Sequence, residues 1–199
     1  MRNIFLICLF ISLSIGYLYS QQRTCATMIM HQQQIQDNPK FHQKQVLLQK
    51  ATEIYEQGLA VQNSSPNLYN IPVVVHVLYN TGAQNISDAQ IFDQISIINE
   101  DFRALNSDIS NVPIPFQSLI ADSQIEFCLA SVDPNGNTTN GINRVSTSSS
   151  SFSSSGNLMK FSSSGGVNAW NSSQYLNIWV CYLGNDLLGF AQFPNTGNS

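Results

Sequence analysis

Candidates for metal binding or nucleophilic attack in this 199-residue chain include its histidines, cysteines and carboxylates. The histidines are His31, His42 and His76. No two of them are four residues apart, so no helix places a pair on one face where both could bind one metal ion. Asp122, Glu126 and Asp133 show no spacing typical of a catalytic carboxylate pair, and we expect solvated or turn positions for them.

The first 20 residues are predicted to be a signal peptide. Arg2 precedes an apolar stretch at residues 4–13, and Ser20 is a small residue suited to cleavage. The apolar stretch is shorter than the ~20 residues that a membrane-spanning helix needs. We therefore predict a secreted protein that begins near Gln21 and has no membrane span. Its net charge of −4 and the lack of a basic patch argue against a nucleic-acid partner.

The cysteines that follow the predicted signal peptide are odd in number: Cys25, Cys128 and Cys181. In an exported chain, an odd number indicates a free thiol or a partner outside the sequence. Cys128 and Cys181 fall in different predicted strands among apolar neighbours. They form a disulfide only if their Cα atoms come within ~7 Å. Free buried thiols, or partners beyond Ser199, fit the sequence equally well.

Residues 21–68 are predicted to be a small helical lead-in followed by a linker. Asn38 and Pro39 are typical of a helix N-cap and of the first helical position. An apolar stripe at helical spacing extends this helix to about residue 59. The stripe comprises Phe41, Leu47, Leu48, Ala51, Ile54 and Tyr55. Residues 63–67 have the Asn, Ser and Pro composition of a linker.

Residues 71–78, I-P-V-V-V-H-V-L, are predicted to be the central strand of a sheet. The run is short, apolar and rich in β-branched residues, which favours a strand that is covered on both faces. Pro72 is near its start, where a missing N–H does little harm. His76 lies in the middle of this run, and we expect it to be a packed core residue with a hydrogen-bonded ring and not a metal ligand.

A helix over residues 88–105 is predicted to pack on this sheet. Ser87 and Gln90 match a capping box. The apolar residues that follow at spacings of three and four form one helical face. They are Ile91, Ile95, Ile98, Phe102 and Leu105.

Three further strands are predicted, over residues 124–131, 175–182 and 189–193. The last is short, begins at a glycine and is ended by Pro194, which suits a sheet edge. Between the strands at residues 124–131 and 175–182, the serine-rich residues 146–156 are expected to form a surface loop anchored by Phe152. Trp170 and Trp179 are expected in the core. The fold class is α/β (α+β): a twisted mixed sheet of about four strands with a backing helix.

Seven short segments in this order resemble the pappalysin/cytophagalysin family, a branch of the metzincin zinc endopeptidases. They are I-P-V-V-V-H-V-L-Y at 71–79, I-S-D-A-Q-I at 86–91, I-N-E-D-F-R-A-L-N at 98–106, A-D-S-Q-I-E-F-C-L-A at 121–130, G-I-N-R at 141–144, Y-L-N-I-W-V-C at 175–181 and L-G-F-A-Q-F-P at 188–194. The likeness covers residues 69–194, together with the R-T-C-A-T segment of the lead-in.

The resemblance implies a secreted zinc-dependent metalloendopeptidase that acts on polypeptides. In that family a helix with the pattern H-E-x-x-H-x-x-G-x-x-H binds zinc, and its glutamate is the general base. No H-E-x-x-H occurs in this sequence, and the resemblance implies that the Zn²⁺ ligands come after Ser199. We therefore expect an N-terminal fragment or a truncated gene product that is inactive alone. Residues 69–199 would be a partial catalytic domain, the metzincin-like upper subdomain, and residues 21–68 a pro-segment.

Two candidate sites follow from the resemblance. Cys25 is placed like a cysteine switch, in which a pro-segment thiolate occupies the open zinc position and blocks catalysis; a disulfide or an inert thiol are its alternatives. The backbone of the predicted edge strand would bind an extended substrate by β-augmentation. This strand comprises Gly189, Phe190, Ala191, Gln192 and Phe193.

A non-catalytic secreted module is the alternative function. It would hold peptides along residues 189–193 without cutting them. A helix with the zinc-binding pattern, encoded shortly after Ser199, would favour the enzyme, and a stop codon would favour the binding module. No pattern in the sequence indicates whether Ca²⁺ is bound or which oligomeric state forms.

Overall fold

The computed structural model describes residues 24–58, 68–184 and 187–193. The predicted signal peptide and the linker at residues 63–67 lie outside these ranges. The strands are β1 (Thr24–Cys25), β2 (Tyr69–Tyr79), β3 (Ile125–Leu129), β4 (Ile142–Ser146), β5 (Leu176–Val180) and β6 (Leu187–Gly189). The α-helices are α1 (Thr27–Asp37), α2 (Pro39–Gly58), α3 (Asp88–Phe102) and the short α4 (Ile114–Gln117). Short 3₁₀ segments are found at Gly82–Gln84, Ser107–Asn111, Ser155–Lys160 and Ser162–Ser164.

Strand β2 is the centre of the main sheet, as its apolar sequence predicted. Along one edge it pairs with β3 through residues 69–73 and then with β4 through residues 75–79. Along the other edge it pairs with β5 through residues 73–77. Val73, Val74 and Val77 are completely buried, which is expected of a strand that has neighbours at both edges and cover on both faces.

Different parts of the chain pack against the two faces of β2. Val73, Val75 and Val77 form one core cluster with Ile91 of helix α3. On the other face, Leu78 packs against Phe152 and Met159 from the serine-rich loop and the turn that follows it. Phe152 is only 4% exposed, so it is an anchor of this loop as predicted. Burying each of these large apolar side chains contributes roughly 1.5–3 kcal/mol.

Helix α3 begins and packs as the sequence predicted. The Ser87 Oγ accepts a hydrogen bond from the Gln90 backbone N–H, and the Gln90 side chain accepts one from the Ser87 N–H, which completes the capping box. Asn99 fastens the helix to β3 because its amide group bonds both the N–H and the C=O of Phe127, at 2.7 and 2.9 Å. The helix ends at Phe102, three residues before the predicted end at residue 105.

Strand β4, the fourth strand of the main sheet, was missed by the sequence analysis. Its side chains are fixed by distant partners, because Arg144 donates hydrogen bonds to Asn85, to the C=O of Ile86 and to Asp88 at the start of α3. A strand whose polar side chains point into such contacts does not show the apolar alternation on which sequence prediction relies. In the described residues the main-sheet ladders are all parallel, so the mixed strand directions that we predicted are not found there.

The predicted strand over residues 189–193 is wrong in its bounds and in its sheet. Strand β6 ends at Gly189 and pairs with β1 of the lead-in, in a separate two-stranded parallel sheet. Residues 190–193 have no strand structure, because the strand that pairs with β6 does not continue. After Cys25 the lead-in turns into helix α1 at Thr27, so no extended backbone lies alongside Ala191.

The lead-in is a pair of helices, of which the sequence predicted only the second. Helix α1 was missed because its glutamine-rich sequence has little apolar periodicity. Helix α2 has the predicted start at Pro39, but Phe41 is its one buried residue. Leu47, Ile54 and Tyr55 of the predicted apolar stripe are more than 60% exposed. The lead-in therefore contacts the rest of the described chain mainly through β1 and α1.

Candidate functional site

The lead-in lies along the segment that the sequence analysis assigned to substrate binding. Thr24 is paired with Leu187 and Cys25 with Gly189 in the parallel β1–β6 ladder. The Ala26 N–H then donates a hydrogen bond of 3.0 Å to the C=O of Gly189. Ala26 is 1% exposed, so this junction is packed as well as hydrogen-bonded. Of the proposed substrate-binding residues, Gly189 is therefore the one that lies in a strand.

Contacts of the lead-in continue along this segment to its last described residue. The Ala191 N–H donates a hydrogen bond of 3.1 Å to Oγ1 of Thr27. Further along α1, the His31 ring meets the Phe193 ring edge-on, with 4.9 Å between the ring centroids. The same His31 ring also contacts Phe41 of α2 at 5.9 Å. The backbone and side chains of residues 187–193 thus face the lead-in from β1 to the middle of α1.

Cys25 has a free and exposed thiol in this ladder. Its Sγ lies 3.2 Å from Oγ1 of Thr27. Hydrogen bonds from the side chain and then the backbone of Thr27 lower the pKa of the Cys25 thiol below its usual value. A lower pKa increases the fraction of thiolate, which is the form that binds metals. By contrast, burial raises the pKa of the Cys181 thiol to about 11.

Cys128 and Cys181 are not joined to each other. Cys128 is free and exposed, and Cys181 is free and half-buried. The reason is the strand order: Cys128 lies in β3, at one edge of the central strand, and Cys181 follows β5, which pairs with the other edge. The central strand therefore separates them.

A groove of about 600 Å³ separates β5 from residues 187–192. Ile178 and Val180 line one side, and Leu188 and Phe190 line the other. Lys160 also lines the groove, and its ammonium group lies 5.5 Å from the centre of the Trp179 ring system and 5.8 Å from the centre of the Phe190 ring. Burial lowers the pKa of Lys160. The segment that binds the lead-in is thus also one wall of a largely apolar groove.

His76 is a core residue, as expected from its place in the central strand. It is completely buried. Its Nε2 lies 2.9 Å from Oδ1 of Asn177, and its Nδ1 lies 3.1 Å from Nδ2 of Asn143. Because an amide nitrogen can only donate, Nδ1 is the acceptor and the ring proton is on Nε2. The ring stacks on Trp179 at 5.2 Å and meets Trp170 edge-on at 6.1 Å, so both tryptophans contribute to this cluster.

The stability of the protein is expected to fall as the pH decreases below about 6.5, the ordinary pKa of histidine. Burial lowers the pKa of His76, and its hydrogen bond with Asn177 offsets only part of this effect. The unfolded chain then binds a proton that the folded chain does not, so stability is retained above the unfolded pKa and lost below it. Urea unfolding between pH 7.5 and 5 measures this slope.

The matched variants for this measurement are His76→Gln and His42→Gln. His42 is exposed on α2. The slope of unfolding free energy against pH should become shallower in His76→Gln and remain unchanged in His42→Gln. An equal slope in His76→Gln and the parent chain would contradict the assignment of this pH dependence to His76.

The three carboxylates considered in the sequence have structural partners. Arg103 binds both Asp122, at 2.9 Å, and Glu126. Asp133 accepts hydrogen bonds from the backbone N–H groups of Asn135 and Asn137 in a turn. Asp122 is exposed and Asp133 lies in a turn, as predicted for solvated or turn positions.

A zinc site is not assembled by the described residues alone. Among residues 24–58, 68–184 and 187–193, no group of three or more His, Cys, Asp and Glu side chains is arranged to hold a metal ion. Cys25 offers a single ligand, whereas a zinc site needs at least three from the protein. Over the same ranges, no helix combines the length and the apolar character needed to cross a membrane.

Comparisons with known proteins agree with the metzincin-like α+β fold. No protein-family model and no curated protein matches this chain. Solved structures do match, and they are structures of mirolysin and promirolysin, a metzincin-type metalloprotease and its proform.

Three of these structures give the extent of the similarity. Mirolysin in complex with compound 9 is 61% identical, with a TM-score of 0.62. Mature mirolysin of Tannerella forsythia, in complex with a cleaved peptide, is also 61% identical, with a TM-score of 0.63. Each match covers 64% of this chain and 47% of the other. A promirolysin mutant of T. forsythia is 50% identical over 86% of this chain and 54% of its own, with a TM-score of 0.68. The chain thus spans about half the length of the proteins it resembles.

Proposed function

We propose that this chain supplies the N-terminal portion of the proform of a secreted, zinc-dependent metalloendopeptidase. Residues 21–68 would be its pro-segment, and residues 69–199 the upper part of its catalytic domain. The observation that carries this proposal is the 61% identity with mature mirolysin, whose structure contains a cleaved peptide. We infer polypeptide substrates for this protein from that likeness.

The extent of the two alignments supports the assignment of the pro-segment. The match with mature mirolysin covers 64% of the chain, whereas the match with promirolysin covers 86%. The additional 22% of the chain is close in length to the proposed pro-segment at residues 21–68. Identity decreases from 61% to 50% over the longer match, so the added part is less similar than the rest.

The lead-in contacts support a blocking role. An extended peptide that bound residues 187–193 by β-augmentation would need their free backbone groups. Two of these groups, the C=O of Gly189 and the N–H of Ala191, already bond the lead-in at 3.0 and 3.1 Å. We infer that substrate binds this segment only after the lead-in has left.

Cys25 is the proposed blocking ligand. Its thiol is exposed, its pKa is lowered by Thr27, and the ladder with Gly189 holds it beside the proposed substrate segment. The zinc that it would bind requires further ligands, which the family likeness puts after Ser199, so the proposal concerns the thiolate as one ligand and assigns no other zinc ligand in this chain.

A test of this proposal is the substitution Cys25→Ser in the full-length protein. Because serine is a far weaker zinc ligand than a thiolate, peptidase activity of the unprocessed protein should rise by about tenfold or more. Cys128→Ser removes another exposed thiol and should leave latency unchanged, so it is the matched control. Activity is measured with a mixture of fluorogenic peptides before and after removal of the lead-in, with and without a zinc chelator.

Two outcomes would contradict different parts of the proposal. If the Cys25→Ser proform remains as latent as the parent, Cys25 is not the blocking ligand. If no peptide is cleaved even after the lead-in has been removed, the enzyme assignment fails and the peptide-binding module replaces it.

A further inference from the structure

The hydroxyl group of Thr27 joins the two sides of the lead-in contact. Thr27 is the first residue of α1. Its Oγ1 lies 3.1 Å from the Ala191 backbone nitrogen and 3.2 Å from the Cys25 sulfur. The three groups come from the proposed substrate segment, the start of a helix and the end of a strand.

The chemistry of a hydroxyl group assigns a direction to each bond. A hydroxyl has one donor and two acceptor lone pairs. The Ala191 N–H can only donate, so Oγ1 accepts from it. The Thr27 O–H is then free to donate to the Cys25 sulfur, which is the direction that stabilises a thiolate.

The contact made by Thr27 depends on its side chain, unlike the neighbouring contact made by Ala26. The bond between the Ala26 N–H and the Gly189 C=O uses backbone groups alone, so it does not require a hydroxyl or any other polar side chain at position 26. The bond to Ala191 requires a hydroxyl at position 27. It is also placed where β1 has ended and α1 begins, so backbone pairing no longer holds the chain in register.

We propose that Thr27 is the positioning residue of the lead-in, and that its hydroxyl fixes the Cys25 sulfur relative to residues 187–191. The proposal rests on the proposed function, because it specifies how the blocking thiol is held in place. It requires the hydroxyl and not the methyl group of threonine, so serine should substitute for Thr27 and valine should not.

Proximity of Cys25 to residue 189 can be measured directly by cross-linking. A side chain added at Gly189 meets no atom within 4 Å, so Gly189→Cys introduces a thiol beside Cys25 without a clash. In the full chain with Cys8, Cys128 and Cys181 changed to Ser, the two thiols are coupled with dibromobimane, which becomes fluorescent when both of its arms have reacted. Each thiolate displaces one bromide.

The rate of cross-linking is compared among Thr27→Val, Thr27→Ser and the parent Thr27, each divided by the rate at which monobromobimane labels Cys25 in the same variant with Gly189 retained, so that a change in thiolate fraction is not counted as a loss of positioning. Loss of the hydroxyl should slow cross-linking by about fivefold, the effect of one hydrogen bond. Thr27→Ser should retain the parent rate. Thr24→Val removes the hydroxyl of the other threonine in this segment, which lies in β1, and should have no effect. Hydrogen exchange of the β2 amides verifies that the main sheet is intact in every variant.

Each outcome separates this proposal from the proposed function. An unchanged rate in Thr27→Val, or a rate in Thr27→Ser as slow as in Thr27→Val, would overturn the positioning role while leaving the blocking role of the lead-in standing. Absence of cross-linking with Thr27 present would mean that the lead-in does not lie along β6, and the proposed blocking contact would fail with it.

Discussion

Replacing His76 with alanine is expected to lower the free energy of unfolding by about 3–5 kcal/mol. The ring is completely buried between Trp170 and Trp179, so its removal leaves a cavity. It also removes the hydrogen-bond partner of the Asn143 amide and one of the partners of Asn177. Urea unfolding, followed by circular dichroism, measures the change.

Two further variants separate the causes of this loss. His76→Phe keeps a ring of similar shape but removes both hydrogen bonds, so about 2–3 kcal/mol of the loss should remain. His42→Ala changes an exposed histidine and should alter stability by less than about 0.5 kcal/mol. A loss below 1 kcal/mol in His76→Ala would contradict the packed position of the ring.

His76 also shows why part of the fold could be predicted. The apolar residues around it predicted a buried strand, because a strand that is buried on both faces has a nearly continuous apolar sequence. The polar partners of the ring could not be predicted. Asn177 follows in sequence by about one hundred residues, and its amide also bonds the N–H and C=O of Trp170. Such a network exists only once the strands have paired.

Strand β1 and helix α1 of the lead-in were not predicted from the sequence, and the physical reason is the same for both. Strand β1 is two residues long, and its pairing with β6 joins residues that are 163 and 164 positions apart. Helix α1 buries Met30 and otherwise exposes much of its surface, so its sequence has little periodicity. Local propensity does not determine either element; contact with residues 187–193 accompanies both.

The residues of the candidate site are proposed from the family likeness, whereas the contacts among them come from the structure alone. The family likeness directed attention to Cys25 and to residues 189–193, and the structure pairs Cys25 with Gly189. Thr27 was not singled out, although it belongs to the R-T-C-A-T segment. Threonine is common near helix starts, and only the approach of Ala191 distinguishes its hydroxyl from an ordinary one.

The substitution Gly141→Ala is expected to destabilise the protein by about 3–4 kcal/mol. Gly141 has φ = +75°, where a side chain costs roughly 1–2 kcal/mol. A Cβ there would lie 2.7 Å from the Ala130 nitrogen and 2.9 Å from the Leu129 Cβ. Relief of this clash would require movement of the backbone at the junction where β3 ends and β4 begins.

That junction is held to the central strand by one hydrogen bond on each side of it. The Ala130 N–H donates to the Val73 C=O, and the Val75 N–H donates to the Gly141 C=O, both at 2.8 Å. The close approach of residues 130 and 141 lets two short strands share one edge of β2. A Cβ at position 141 would therefore force one of these two bonds to lengthen, and stability should fall by more than backbone strain alone predicts.

Gly136→Ala is the matched control, because Gly136 has φ = +85° but open space around its Cα. Its free energy of unfolding should fall only by the backbone-strain contribution of about 1–2 kcal/mol. Guanidinium unfolding gives the loss of unfolding free energy in each variant. The difference between the two losses is the contribution of the close approach of residues 130 and 141. Equal losses would mean that β3 and β4 do not meet at Gly141, and the division of this sheet edge between two strands would then be wrong.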